Sequence, residues 1–178
     1  MEYDSILQKI QQDREDHSVI DLYRYNVMME AIDFFSNRLS FEQIVSSAFE
    51  FVNELLTVSK SVIYILVGKE YVPAEKKGLE YEPAQIPCTA KLESFAVLCG
   101  AVLSERAKLQ DYFNRDFLEA NQVQIMIPLI SETTLQGFIF LAEKSGGAFV
   151  ADDTVICDVL MRIFTSALEN HNRLVKLQ

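Results

Sequence analysis

Apolar positions along the chain fall into helix-period and strand-period stretches. Residues 2–16 are polar, with a thin stripe of Tyr3, Ile6, Leu7 and Ile10. That stripe is too narrow to bury much alone, so a helix there needs something to pack on. After His17, Ser18 can cap a helix over about 19–38. It carries two apolar stripes: Tyr25, Met28, Ile32, Phe35 and Leu39, and beside them Ile20, Val27, Ala31 and Phe34. One stripe serves a helix on its own core; a second predicts a second partner. Ser40-Phe41-Glu42-Gln43 has capping-box spacing and opens a helix to about Val58.

Strand-period runs follow. Ser61 to Val67 is β-branched and aromatic, and Gly68-Lys69 can turn it back into Glu70-Tyr71-Val72 as a hairpin. The Pro- and Gly-containing segment 73–87 predicts a surface loop with an edge strand near 85–89. Lys91 to about Ala107 returns to helical period, and Gly100 is placed to loosen or split it. A short helix is expected at 116–120. Val123–Ile130 and Leu135–Ala142 then form a second hairpin, with Pro128 requiring an open or bulged side. Asp152-Asp153 begin the last helix with charge suited to an N-terminus. That helix also shows two stripes: Ile156, Leu160, Ile163, Ala167, Asn170 and Leu174, then Met161, Phe164, Leu168, His171 and Val175. The second is expected to be left for a partner, with no domain beyond about residue 170 for the helix to pack on. Strand pairs set among helices predict an α+β fold with an antiparallel sheet covered by helices.

Composition narrows the function classes. The formal net charge is −10 and the pI about 4.7, so a phosphate backbone is repelled and nucleic acid is not an expected partner. Nine residues, Phe95–Leu103, make the longest apolar stretch, against about twenty needed to span a bilayer; no membrane association is expected. The acidic start Met1-Glu2-Tyr3-Asp4 lacks the features of a signal peptide. Three widely spaced cysteines, Cys88, Cys99 and Cys157, fit free thiols and a cytoplasmic location. The only histidines, His17 and His171, leave no Ser-His-Asp or Cys-His constellation, and no metal-ligand spacing occurs. No catalytic residue and no metal are expected.

The segment Ile127-Pro128-Leu129-Ile130, a polar turn, then Gly137-Phe138-Ile139-Phe140-Leu141 resembles the closing hairpin of a GAF domain. Phe149, Asp153 and the helix through Ala167-Leu168-Glu169-Asn170 continue the likeness. Upstream, helix 41–58, strand 61–67 with its hairpin, and Gly100-Ala101-Val102-Leu103 before Lys108-Leu109 follow the family's order. The resemblance implies a GAF-like antiparallel sheet of five or six strands, dimer-forming terminal helices on one face and pocket-covering helices and loops on the other. It divides the chain into a helical extension (1–18), a GAF-like domain (19–172) and the end of a signalling helix (173–178). It implies a cytoplasmic regulatory domain that homodimerises, senses a small molecule and controls an attached or partner output domain in signal transduction. Two alternatives are a dimerisation module without ligand and a thiol enzyme akin to free methionine sulfoxide reductase, with Cys88 its seat.

Cyclic-nucleotide members share an Asn-Lys … Phe-x-x-x-Asp-Glu pattern; Lys144, Phe149 and Asp153 fit, whereas Glu143 and Thr154 depart from it. The Lys–Asp pairing is expected to survive without the signature. Cys88 and Cys99 are not followed by His, and neither bilin nor haem is expected. The pocket is expected near 86–89, helix 91–103 and the late strands, with Cys88, Phe95, Cys99, Tyr112 and Met126 as ligand-binding candidates. Arg106 or Arg115 could meet an anionic group. The dimer interface is assigned to Ile20, Val27, Ala31, Phe34, Phe164, Leu168, His171 and Val175.

Overall fold

Alternation in the strands decides the architecture. In the computed structural model, which describes residues 22–177, β1 (Val58–Val67) sends Val62, Tyr64 and Leu66 to one face of a sheet and Ile63 and Ile65 to the other. β6 (Thr134–Lys144) divides Phe138 and Phe140 from Ile139 and Leu141, and β5 (Ile125–Ser131) divides Met126 and Ile130 from Ile125, Ile127 and Leu129. Both faces are therefore apolar, and both must be covered.

The sheet has six strands in the order β3-β2-β1-β6-β5-β4, with antiparallel neighbours throughout. β2 is Glu70–Lys77, β3 Ile86–Pro87 and β4 Val102–Leu103. One face packs against α1 (residues 22–35), α2 (Phe41–Leu55) and α6 (Ala151–Lys176). The other is covered by α3 (Ala90–Cys99), a 3-10 turn at Leu109–Asp111 and α5 (Arg115–Asn121), with α4 (Ser104–Ala107) as a short connector. The α+β sheet expected from the pattern is present, with helices on both faces.

Local signals account for most boundaries. Ser40 Oγ accepts from Gln43 N at 3.1 Å while Gln43 Oε1 accepts from Ser40 N at 2.9 Å, completing the predicted capping box. Helix α2 stops at Leu55 because β1 already begins at Val58. The helix expected over 91–107 is instead broken: α3 ends where Gly100 takes φ +66°, the left-handed region a glycine enters without strain, and β4 follows. Pro128 pairs with Phe138 on β6, while β4 pairs only with Ile125 and Met126, leaving the expected open side beside the proline. Gly137 is required by a close approach, since a Cβ there would stand 2.2 Å from the Tyr64 carbonyl oxygen.

The expected Lys–Asp pairing is present. Lys144 Nζ lies 2.9 Å from Asp153 Oδ2, which also accepts from Val150 N at 2.8 Å, and Lys144 sits over the Phe149 ring at 5.6 Å. Arg24 from α1 reaches the other oxygen, Oδ1, at 3.7 Å.

Two expectations about the terminal helices need correction. Cys157, Leu160, Phe164, Ala167 and Leu168, drawn from both predicted stripes of α6 and the row between them, form one buried seam. Val27, Ala31, Phe164 and Leu168, assigned to a dimer interface, lie in the protomer's own core, and Phe34 packs partly against Phe35 and Phe51. Residues of both stripes are used within the protomer: α1 and α6 lie side by side, with the first-stripe Phe35 ring 5.1 Å from that of Phe164. His171 Nδ1 stands 3.2 Å from Leu39 O, again within the protomer, whereas Val175 is exposed. Ile20 and the 1–18 extension lie outside the described residues. The helix also keeps packing beyond residue 170, because the β5–β6 turn reaches it: Asn172 Nδ2 donates to Ser131 Oγ at 2.8 Å, and Lys176 pairs with Glu132 at 3.1 Å.

A different apolar stripe faces outward. Leu22, Tyr25, Met29 and Ile32, at steps of 3, 4 and 3, are 60%, 61%, 42% and 44% exposed. The periodicity did signal an extra face on α1, but only the register of its packing tells which one is left over.

Candidate functional site

The second face of the sheet carries an aromatic cluster of Tyr64, Tyr71, Phe113, Phe138 and Phe140. Tyr64 stacks on Phe138 at 5.0 Å, and Phe113 meets Phe140 edge-on at 4.9 Å, geometries that aromatic pairs favour. Above it the segment between β2 and β3 crosses the sheet. Tyr64 Oη donates to Ala84 O at 2.9 Å and holds that segment in place. Tyr71 Oη donates to Leu135 O at 3.0 Å. Burial pushes both phenols well above their ordinary pKa, so they remain donors.

Between the crossing segment and α5 lies a cavity of about 660 Å³, open to solvent on one side. Tyr81, Glu82, Ala84, Gln85, Ile86, Pro87 and Thr89 line one wall; Tyr112, Phe113, Asn114, Asp116, Phe117 and Ala120 line the other, over Tyr64. Helix caps set these walls. Asn114 Oδ1 accepts from Phe117 N at 3.0 Å, and Thr89 Oγ1 from Leu92 N at 3.1 Å. Among the described residues the lining holds two carboxylates and two carboxamides but no Lys, Arg, His or Cys.

The candidate residues divide accordingly. Tyr112 lines the cavity, and Phe95 stacks against it at 3.8 Å with the planes 10° apart, behind the wall. Phe95 and Cys99 belong to a shallower neighbouring groove with Lys91, Ser94 and Leu98. Cys88 sits between two lining residues, its Sγ 3.5 Å from Tyr71 Oη. Met126 is fully buried in the aromatic cluster and is core rather than lining. Arg115 pairs with Glu119 at 2.8 Å, and Arg106 lies outside the lining. The expected strand edge at 86–89 does contribute. Tyr64, Tyr81, Phe113, Phe117 and Asp116 were missed. Tyr64 was legible from strand alternation, being on the face of Val62 and Leu66. Tyr81 and Phe117 lie in irregular or short segments whose approach is set by the tertiary fold.

Among the described residues no group of three or more His, Cys, Asp or Glu side chains is arranged to hold a metal, and no helix is long and apolar enough to cross a membrane. All three cysteines are free. Burial pushes the Cys99 thiol up to about 11, reinforced by the Asp158 carboxylate, and burial raises Cys157 further. Thiolate, the nucleophilic form, is therefore scarce at both near neutral pH. Iodoacetamide alkylation of Cys99, followed by peptide mass spectrometry, should accelerate about tenfold per pH unit from pH 7 to 10. A pH-independent rate already fast at pH 7 would contradict that environment.

The model of the GAF domain family matches residues 40–170. No curated protein sequence matches the chain. Among solved structures, the chromophore-binding domain of Stigmatella aurantiaca phytochrome P1 superposes with a TM-score of 0.62 at 13% identity. That match covers 82% of this chain and 59% of that one, so the chain spans under two thirds of the phytochrome fragment. The GAF domain of a phosphoenolpyruvate-protein phosphotransferase from Coxiella burnetii gives 0.60 at 15% identity, covering 87% and 97%. Reduced fRMsr of Staphylococcus aureus gives 0.59 at 13%, covering 82% and 94%. At these identities the superpositions establish the fold.

Proposed function

The chain belongs to the GAF domain family, and from that premise we propose that it is a regulatory module that binds a small molecule in the cavity under residues 79–89. In this reading it pairs with a second copy through the outer face of α1 and the adjoining part of α6, and it controls an attached or partner output domain. The observation that carries the sensing half is the aromatic cavity itself. Its volume, about 660 Å³, lies within the range of pockets that enclose a drug-sized ligand. It also sits on the sheet face opposite α1 and α6, where a bound molecule leaves the helices free to pair.

A physical route joins the two faces. Tyr112 in the cavity wall stacks on Phe95 of α3. That helix ends at Gly100, and the next amide, Ala101 N, donates to Asp158 Oδ1 of α6 at 2.9 Å. Ligand binding would shift the populations of two packings of α6 by as much as its affinities for them differ. The pairing half rests on the Leu22–Tyr25–Met29–Ile32 stripe, an exposed apolar row of the kind that marks protein interfaces.

Native mass spectrometry and sedimentation test both halves. The chain should run as a dimer at micromolar concentration, and Tyr25→Glu with Ile32→Glu should make it monomeric with an unchanged circular dichroism spectrum. A wild-type monomer would end the pairing reading. In a thermal-shift panel of metabolites, a true ligand at about 100 times its Kd stabilises by about 2.7 kcal/mol, several degrees in Tm. A panel in which nothing moves the transition would end the sensing reading.

A further inference from the structure

Resting on the reading of the cavity as a ligand site, we propose that its ligand carries a positively charged nitrogen on a flat apolar body: a quaternary or aromatic ammonium compound, and not a phosphate- or carboxylate-bearing one. The rings of Tyr81, Tyr112 and Phe117 reach the cavity from three separate segments, with Tyr64 beneath them. An aromatic face is the negative end of a quadrupole and attracts a cation, most strongly where water is excluded. Tyr112 is fixed at the wall by the Phe95 ring stacked 3.8 Å from it and already carries the Lys91 ammonium at 5.2 Å, so Tyr81 and Phe117 are the rings left for a ligand cation.

The charges point the same way. Asp116 lines the cavity and has no ion-pair or hydrogen-bond partner among the described residues. Glu82 pairs with Lys76, whose side chain is outside the lining. The nearby cations lie outside the lining: Lys91 Nζ stands 5.2 Å from the centroid of the Tyr112 ring and donates to Asp111 O at 3.2 Å, and Arg115 is held by Glu119. An anionic ligand would meet two exposed carboxylates, and the ammonium beside them, Lys76, is already paired with Glu82, in a chain of net charge −10. A cation would exchange its hydration for ring faces and the Asp116 carboxylate.

Three phenols of nearly equal shape separate these outcomes: (4-hydroxyphenyl)trimethylammonium, its uncharged isostere 4-tert-butylphenol, and 4-hydroxybenzenesulfonate. Isothermal titration of the whole chain at physiological salt should show the cation binding about tenfold or more tightly than the isostere, with no heat from the sulfonate. Asp116→Asn should reduce that preference to about threefold or less while leaving 4-tert-butylphenol within about twofold. Tyr81→Leu, at an exposed position, should weaken the cation by about threefold or more. Equal or tighter binding of 4-tert-butylphenol or of the sulfonate would overturn the charge assignment and leave the cavity reading standing. Cation binding indifferent to both substitutions would place it on the acidic surface at large and overturn the proposal. Silence from all three compounds would overturn the charge assignment, with the metabolite panel deciding the cavity reading separately.

Discussion

Asp153→Ala should cost the fold about 3–5 kcal/mol, the range for removing one partner of a buried ion pair. With a urea m-value of about 2 kcal/mol/M, the midpoint should fall by about 2 M. The size follows from enclosure. The Asp153 side chain is 1% exposed and that of Lys144 15%, so deleting the carboxylate strands an ammonium that has little water to turn to. It also removes the acceptor for Val150 N at the first turn of α6, where the valine has no side-chain acceptor of its own. Asp153→Asn separates the charge from the hydrogen bonds: its oxygen can serve both donors, so it should lose less than the alanine variant. Arg24→Gln should lose under about 1 kcal/mol, because Arg24 is partly exposed and 3.7 Å away, and Asp153 Oδ1 makes no hydrogen bond with it. An alanine variant within about 1 kcal/mol of wild type would show that Lys144 finds solvent without its partner.

This pair also shows what a sequence can disclose. Lys144, Phe149 and Asp153, picked out by the resemblance to cyclic-nucleotide GAF domains, are brought together by local geometry at a strand end and a helix start. The same holds for the capping box at Ser40, the two hairpins and the break at Gly100. Each is a short-range consequence of hydrogen-bond supply or backbone freedom. The terminal helices behaved differently. Two stripes on α1 and two on α6 called for a second partner each, but the buried residues of α6 form one seam, and no local rule says that the helices pack on each other. Core residues such as Ala31 and Phe164 were thereby assigned to an interface, while the apolar row left exposed runs from Leu22 to Ile32. The cavity was legible only where strand edge 86–89 and Tyr112 were concerned. Its remaining wall depends on how residues 79–85 and α5 converge over the sheet, a long-range outcome.

Phe138→Ala should be the other severe lesion, at about 3–5 kcal/mol in urea or thermal unfolding. Phe138 is fully buried, and its ring lies 5.0 Å from Tyr64, 5.0 Å from Phe140, 5.1 Å from Tyr71 and 5.2 Å from Phe113. Truncation loses the transfer free energy of the ring and leaves a void that four ring neighbours, each on its own backbone, cannot readily close. Two of those four line the cavity, so the floor should loosen and ligand affinity should fall with stability. Phe117→Ala is the counterpart: Phe117 is half-buried at the wall and 6.2 Å from Phe140, so it should weaken binding with a much smaller loss of stability. A Phe138→Ala protein that unfolds within about 1 kcal/mol of wild type would mean that the aromatic cluster collapses onto the vacancy. The Tyr64 ring would then have moved, and the cavity above it would be a plastic space rather than a preformed one. Equal binding by the Phe138 and Phe117 variants, measured with the cationic phenol, would lead to the same conclusion from the ligand side.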